Sequence, residues 1–95
     1  MKLNEILKDI SSDIEISGIS YDSRSTKTGD VFVCIKGYQT DGHKYAAKAV
    51  ENGAVAVVAE DELSLDVPVF YVPDSRKTLA EMSKNYYKDP ESSFD

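Results

Sequence analysis

Two short stretches carry most of the chemistry that this chain offers. Tyr21-Asp22-Ser23-Arg24 sets an aromatic face, a carboxylate, a hydroxyl and a guanidinium within four residues, and Tyr38-Gln39-Thr40 adds a second ring, an amide and a hydroxyl. A nucleoside diphosphate asks for this inventory: a flat apolar surface and a donor–acceptor edge for the base, hydroxyl partners for the ribose, and N–H groups, hydroxyls or arginine for the diphosphate. The same residue types are also ordinary turn formers, with Asp22 and Arg24 stabilising the loop. Composition leaves both readings open.

The familiar catalytic constellations are missing. No G-x-x-x-x-G-K-[ST] run cradles phosphates, and no G-x-G-x-x-G follows a strand. One histidine and one cysteine exclude a zinc site of the usual ligand spacing, and no metal site is expected. A serine nucleophile would need a histidine base, and His43 reads as a cap or surface residue on the solvated first turn of a helix. Asp22 and Asp41 pair only if their loops converge, and acid–base work by such a pair needs an environment that separates their pKa values. No catalytic residue is therefore assigned. Cys34 lies inside the run Val31-Phe32-Val33-Cys34-Ile35 and reads as a small buried hydrophobe. A lone thiol fits a reducing compartment.

Charge narrows the partners. Eleven basic residues against seventeen acidic ones give a net charge of −6, with no basic cluster to reward nucleic acid or an anionic membrane. An anionic small molecule would have to be held by local donors against the overall field. The N-terminus lacks the apolar core of a signal peptide, and no apolar run approaches the ~18 residues of a membrane span. The chain reads as cytoplasmic.

The elements that must position these residues follow from periodicity. At 95 residues the chain is one domain, long enough for a single small core. Leu3, Ile6 and Leu7 suggest a short amphipathic helix to Lys8. Ile14 and Ile16 alternate with polar residues, and Ile19 and Tyr21 alternate in the opposite phase, which places a bend or bulge at Gly18 in a strand or strand pair. Val31 to Ile35 and Ala54 to Ala59 are continuously apolar, as strands buried on both faces are. Between them, a helix from about His43 to Asn52 carries the stripe Tyr45, Ala46, Ala49 and Val50. Thr40 or Asp41 is its N-cap and Gly53 its left-handed C-terminal cap. Val67 to Val72 is a further strand, with Pro68 at its start or at a sheet edge. Asp74 or Ser75 caps a last helix marked by Leu79, Met82 and Tyr86, with Ala80 and Tyr87 beside them, which Asp89-Pro90 stops.

This order predicts an α/β fold: a small, mostly parallel sheet of four to five strands with helices on both faces, the middle helix forming a βαβ crossover. Ligands on such sheets bind beyond the strand C-terminal ends. The loops Asp22–Thr28 and Lys36–Gly42 qualify.

Ile19-Ser20-Tyr21-Asp22-Ser23-Arg24, Thr28-Gly29-Asp30-Val31-Phe32-Val33-Cys34-Ile35-Lys36-Gly37 and Thr40-Asp41-Gly42-His43 together form a recognisable pattern. It continues through Asn52-Gly53-Ala54-Val55-Ala56-Val57-Val58, Val72-Pro73-Asp74-Ser75-Arg76 and Tyr86-Tyr87-Lys88-Asp89-Pro90. Set in this order across nearly the whole chain, these segments resemble the N-terminal domain of the Mur ligases, in particular the tripeptide-synthetase branch. The resemblance implies a domain that binds the uridine diphosphate end of UDP-N-acetylmuramoyl-L-alanyl-D-glutamate for an ATP-dependent amino-acid ligase of peptidoglycan precursor synthesis. Tyr21, Ser23, Tyr38, Gln39 and Thr40 fall on the family's substrate contacts, while Asp22 and Arg24 fall on residues that shape the loop. It further implies that ATP and magnesium belong to a central domain of the parent enzyme, which would be this domain's partner. With no ATP loop, carbamylated lysine or amino-acid-selecting motif in the sequence, residues 1–95 are expected to be one domain or fragment that binds no cofactor and does not ligate alone. Whether the parent adds diaminopimelate or lysine stays open. Two alternatives stand beside this: the related branch that adds D-alanyl-D-alanine, which shares the Asp-Ser/Thr-Arg and Asp-Gly-His elements, and a non-catalytic interaction module of the same fold.

Overall fold

In a computed structural model, which describes residues 2–6, 13–36 and 41–86, four strands form one parallel sheet in the order β1-β2-β3-β4: β1 (Gly18–Ser20), β2 (Asp30–Val33), β3 (Ala56–Ala59) and β4 (Val69–Tyr71). The registers pair Ile19 with Val31, Phe32 with Val57, and Val58 with Phe70. Helix α1 (Leu3–Ile6) opens the chain, α2 (Ala46–Glu51) links β2 to β3, and α3 (Ser75–Tyr86) follows β4. No helix among the described residues is long and apolar enough to cross a membrane.

The alternation of side chains along a strand splits the core into two layers. Val31, Val33, Ala56 and Val58 face one side, where Leu3 of α1 and Met82 of α3 cover them and Leu79 and Tyr86 pack alongside. Phe32, Cys34, Val57 and Ala59 face the other side, against Ala46 and Ala49 of α2. Every residue of β2 and β3 is buried, as the unbroken apolar runs require when both faces are covered. The expected helices on both faces are thus present.

The phase change at Gly18 has a structural reason. Ile16 and Ile19 sit three residues apart yet both pack on the α1–α3 side, so the chain resets its alternation between them. Before the reset, Leu3 N–H donates to Ile14 O at 2.9 Å and Lys2 bridges Glu15 in antiparallel sense; after it, Gly18 enters the parallel ladder. Tyr21 does not join the core: it is 64% exposed, because the strand ends at Ser20 and the ring lies past the sheet edge.

The middle helix begins as a 3-10 turn at Gly42–Tyr45 and becomes α-helical only from Ala46. Asp41 caps it, accepting from His43 N–H at 3.0 Å. Gly53 has φ +119°, and a Cβ there would stand 2.4 Å from Thr28 Cα, so glycine is required by both torsion and space. Pro68 precedes the edge strand β4 and still offers its carbonyl to Val57 N–H at 3.0 Å. At α3, Asp74 is the cap, receiving Lys77 N–H at 3.1 Å. Thr78 is buried where the apolar spacing suggested Ala80, which is exposed; the helix leans on the sheet through Ser75, Thr78 and Met82. The segments expected at Leu7–Lys8, Tyr87 and Asp89-Pro90 lie outside the described residues.

Candidate functional site

All four strands point the same way, so their C-terminal ends share one rim, and the loops leaving β1, β2, β3 and β4 meet there. The loop after β1 is a short 3-10 turn, Ser23–Ser25, capped by Asp22, whose carboxylate accepts from Arg24 N–H at 2.9 Å. The Arg24 guanidinium closes on the same carboxylate through two bonds of 3.1 and 2.9 Å. These bonds, the side-chain one foremost, hold Asp22 below the usual carboxylate range and raise Arg24 in turn. The pair is largely solvent-exposed, so its weight is in shaping the turn rather than in stability.

The hydroxyls of this loop divide in an informative way. Ser20 Oγ pairs with Thr26 Oγ1 at 3.0 Å, while Thr26 Oγ1 and Ser25 Oγ both donate to Asp22 O, at 3.0 and 3.1 Å. Ser23 is anchored by its backbone, its carbonyl accepting from Asn52 Nδ2 at the end of α2 at 2.7 Å. Among the described residues none hydrogen-bonds the Ser23 hydroxyl, although the residue is only 7% exposed. Ser23 lines a hollow of about 400 Å³ together with Tyr21, Asp22, Arg24 and Tyr45. Tyr21 and Ser23 are thus brought to one cavity. Tyr38, Gln39 and Thr40 lie outside the described residues. Their flanks do not: Lys36 and Asp41 form an antiparallel bridge, and Gly42 N–H donates to Ile35 O at 2.8 Å, so that segment leaves and re-enters at the end of β2, the strand beside β1.

The rest of the rim is stitched together by His43. Its side chain is 6% exposed, not solvated as the helical position suggested, because the 3-10 turn rotates it inward. Nδ1 meets Asp41 Oδ1 at 2.6 Å, while Nε2 accepts from the backbone N–H groups of Glu60 at 2.9 Å and Asp61 at 3.1 Å. Accepting on Nε2 places the ring proton on Nδ1, facing the carboxylate. Asp41 is held below its ordinary range, first by the His43 backbone N–H and then by the ring. Glu60 is lowered by Ser75, whose N–H and hydroxyl reach its carboxylate at 2.7 and 2.8 Å. Lys36 Nζ reaches Asp61 at 3.1 Å, and Arg76 donates to Lys36 O at 2.9 Å. The exits of β2, β3 and β4 are thereby tied to one another.

Two sequence candidates resolve differently from a catalytic reading. Asp22 and Asp41 each have their own local partner and make no acid–base pair. Ligand atoms of Asp41, His43 and Asp61 lie within 4.8 Å of one another, but both His43 nitrogens are spent, so the ring has no lone pair to offer an ion. Cys34 is fully buried, and burial pushes its thiol up to about 12. It stays protonated near neutrality and is not a nucleophile. The His43 clasp was the residue role that sequence missed; the Asp-x-His spacing at a helix start was its only local signal, and the two distant amides it captures had none.

Comparison with known proteins gives this geometry a context. Residues 15–87 match the family described as "Mur ligase family, catalytic domain". A protein of Clostridium botulinum named UDP-N-acetylmuramoyl-L-alanyl-D-glutamate--2,6-diaminopimelate ligase is 50% identical over 95% of the chain and 21% of its own length. A protein of the same name from Listeria monocytogenes is 44% identical over 95% of the chain and 20% of its length. The chain spans about a fifth of the length of these curated relatives. Among solved structures, the MurF ligase of Thermotoga maritima in complex with ADP is similar with a TM-score of 0.66 and 34% identity, covering 78% of this chain and 17% of that one. A MurF crystal structure from Acinetobacter baumannii reaches a TM-score of 0.69 at 31% identity, covering 82% and 17%.

Proposed function

The chain belongs to the Mur ligase family, and from that premise we propose that it is the part of an ATP-dependent amino-acid ligase that grips the uridine diphosphate end of UDP-N-acetylmuramoyl-L-alanyl-D-glutamate. One observation carries the reading. The hydroxyls of Ser20, Ser25 and Thr26 are consumed by the turn itself, whereas the Ser23 hydroxyl has no hydrogen-bond partner among the described residues, and Ser23 lines a hollow bordered by tyrosines.

The chemistry is local because the field is unfavourable. At a net charge of −6 the chain repels a nucleoside diphosphate at long range. Ser23 donates its hydroxyl to a diphosphate or sugar oxygen. Arg24, half-neutralised by Asp22, leaves guanidinium N–H groups directed at solvent beside it. Tyr21 supplies an apolar wall, and Tyr38, Gln39 and Thr40 extend the grip from the neighbouring strand's loop. The His43 clasp fixes both β2 and β3 exits, so that the rim is rigid before ligand arrives, which lowers the ordering cost of binding. ATP and magnesium would act on other segments of the parent enzyme, since none of these residues forms a triphosphate cradle. The domain's role is to deliver the precursor to that centre.

A second reading, the branch that adds D-alanyl-D-alanine, has the solved MurF neighbours on its side. The greater identity to the diaminopimelate ligases favours the first. Assay of the parent enzyme for addition of a single amino acid or of the dipeptide separates them.

The grip itself is tested by titrating UDP into the chain, followed by two-dimensional amide NMR to millimolar ligand. A hydrogen bond to a charged partner contributes roughly 1.5–3 kcal/mol, so Ser23→Ala is expected to weaken UDP about 10- to 100-fold with the spectrum otherwise intact. A folded wild-type chain whose amides ignore UDP, or a Ser23→Ala variant of equal affinity, contradicts the proposal.

A further inference from the structure

Tyr45 belongs to none of the segments on which the substrate contacts were placed, yet it lines the same hollow as Tyr21, Ser23 and Arg24. It arrives there from a different element, the 3-10 turn that opens the middle helix. A continuous α-helix from His43 would carry the ring as part of the buried stripe with Ala46 and Ala49. Instead Ala46 and Ala49 are fully covered and Tyr45 is 44% exposed. The backbone at Tyr45, φ −107° and ψ 5°, is the junction between the two helix types. The side chain makes no cap hydrogen bond at that junction, so neither helix capping nor core packing accounts for a tyrosine here.

Tyr21, which lines the same hollow, is 64% exposed. Two large, half-wet rings from separate elements border a space of about 400 Å³ that Ser23 and Arg24 also line. Exposed aromatic faces cost hydration free energy unless something flat covers them. Of the parts of a nucleoside diphosphate, only the base is flat and apolar on its faces, and every base offers a π-face to a ring.

Resting on the ligand reading above, we infer that Tyr45 is a nucleobase-contacting residue, forming with Tyr21 the two aromatic walls between which the base of a nucleoside diphosphate lies. The walls give affinity through stacking and dispersion, and Ser23 and Arg24 at the polar side receive the sugar and diphosphate. Because stacking tolerates any base, Tyr45 strengthens uridine and adenosine diphosphates alike, and discrimination for uracil must come from hydrogen-bonding groups elsewhere on the rim.

The test follows the uracil H5 and H6 resonances of UDP, and its dissociation constant, with wild type, Tyr45→Ala and Tyr45→Phe. In the wild type both protons move upfield on binding, through the ring currents of the tyrosines. Tyr45→Phe keeps the shift and the affinity within twofold. Tyr45→Ala loses at least half of the shift and binds UDP and ADP at least fivefold more weakly. Tyr45→Leu, which retains apolar bulk at the helix start, guards against a folding defect and behaves as Tyr45→Ala. An affinity for UDP unchanged within twofold in Tyr45→Ala, or bound UDP whose H5 and H6 do not shift in the wild type, overturns the inference while leaving the Ser23 grip standing. Absence of any UDP binding by the folded wild type overturns both.

Discussion

His43 illustrates how a single side chain changes meaning between sequence and structure. Its neighbours in the chain suggested a solvated helix start, and its neighbours in space make it a rivet between Asp41 and the Glu60–Asp61 backbone. Removing the ring leaves two amide donors without their acceptor at a partly covered rim, while Asp41 keeps only the backbone N–H of residue 43. His43→Ala is therefore expected to cost about 1–3 kcal/mol. It should also speed hydrogen exchange of the Glu60 and Asp61 amides while leaving the β2–β3 ladder protected. Unchanged exchange at those two amides would refute the clasp. Ser23 is the contrasting case: its carbonyl is engaged by Asn52 while its hydroxyl has no partner among the described residues, a division visible only once the partners of Ser20, Ser25 and Thr26 are known.

Among the elements, the β2–α2–β3 unit carries the fold, and its tightest point is the exit from α2. Gly53 N–H donates to Val50 O, and Gly53 O receives Gly29 N–H at 2.9 Å, so the end of the helix and the turn before β2 share one bond. A methyl group at Gly53 meets Thr28 Cα at 2.4 Å, at φ +119°. Gly53→Ala should destabilise by roughly 1–3 kcal/mol from the backbone torsion alone, and more if Thr28 cannot move. Urea denaturation would show a lower midpoint with an unchanged slope. The exposed Lys48→Ala on the same helix should stay within about 0.5 kcal/mol of wild type. Equal losses in the two variants would argue against the steric account. The short strands are legible from their β-branched runs and the glycine turn from its position. The 3-10 start of the middle helix is not legible, because it depends on Asp41 capping His43 while the His43 ring is drawn to β3.

For the molecule as a whole, acid stability follows from where its carboxylates found partners. Asp22, Asp41 and Glu60 are all lowered in the folded state, by Arg24, His43 and Ser75 respectively. A lowered folded pKa adds stability above the unfolded value, near 4 for these groups. That stability is lost as pH falls through the folded value. Thermal unfolding should therefore vary little between pH 7 and 5 and fall below about pH 4. Glu60→Gln should be less stable at pH 7 and show a shallower acid decline than wild type. Parallel melting-temperature curves for the two proteins would contradict the assignment. Relief of the −6 net charge on acidification acts in the opposite sense and is common to both proteins, so the difference between them isolates the Glu60–Ser75 contact.

The layering of this protein was settled by its sequence alone. Continuous apolar runs at 31–35 and 54–59 can be buried only on two faces, the stripe of small residues at 46 and 49 lets a helix lie close on one of them, and the Asp22-Ser23-Arg24 and Asp41-Gly42-His43 segments must then fall beyond strand ends. Those are local consequences of side-chain period and of which residues end a strand or helix. Tertiary structure decided which polar groups are spent and which are free. Hydrogen bonds between His43 and the Glu60–Asp61 amides span 17 and 18 residues, and the approach of Tyr45 to Tyr21 joins two loops across the rim. A pattern read along the chain reports neighbours in sequence, whereas a binding site is made by groups that only folding brings together.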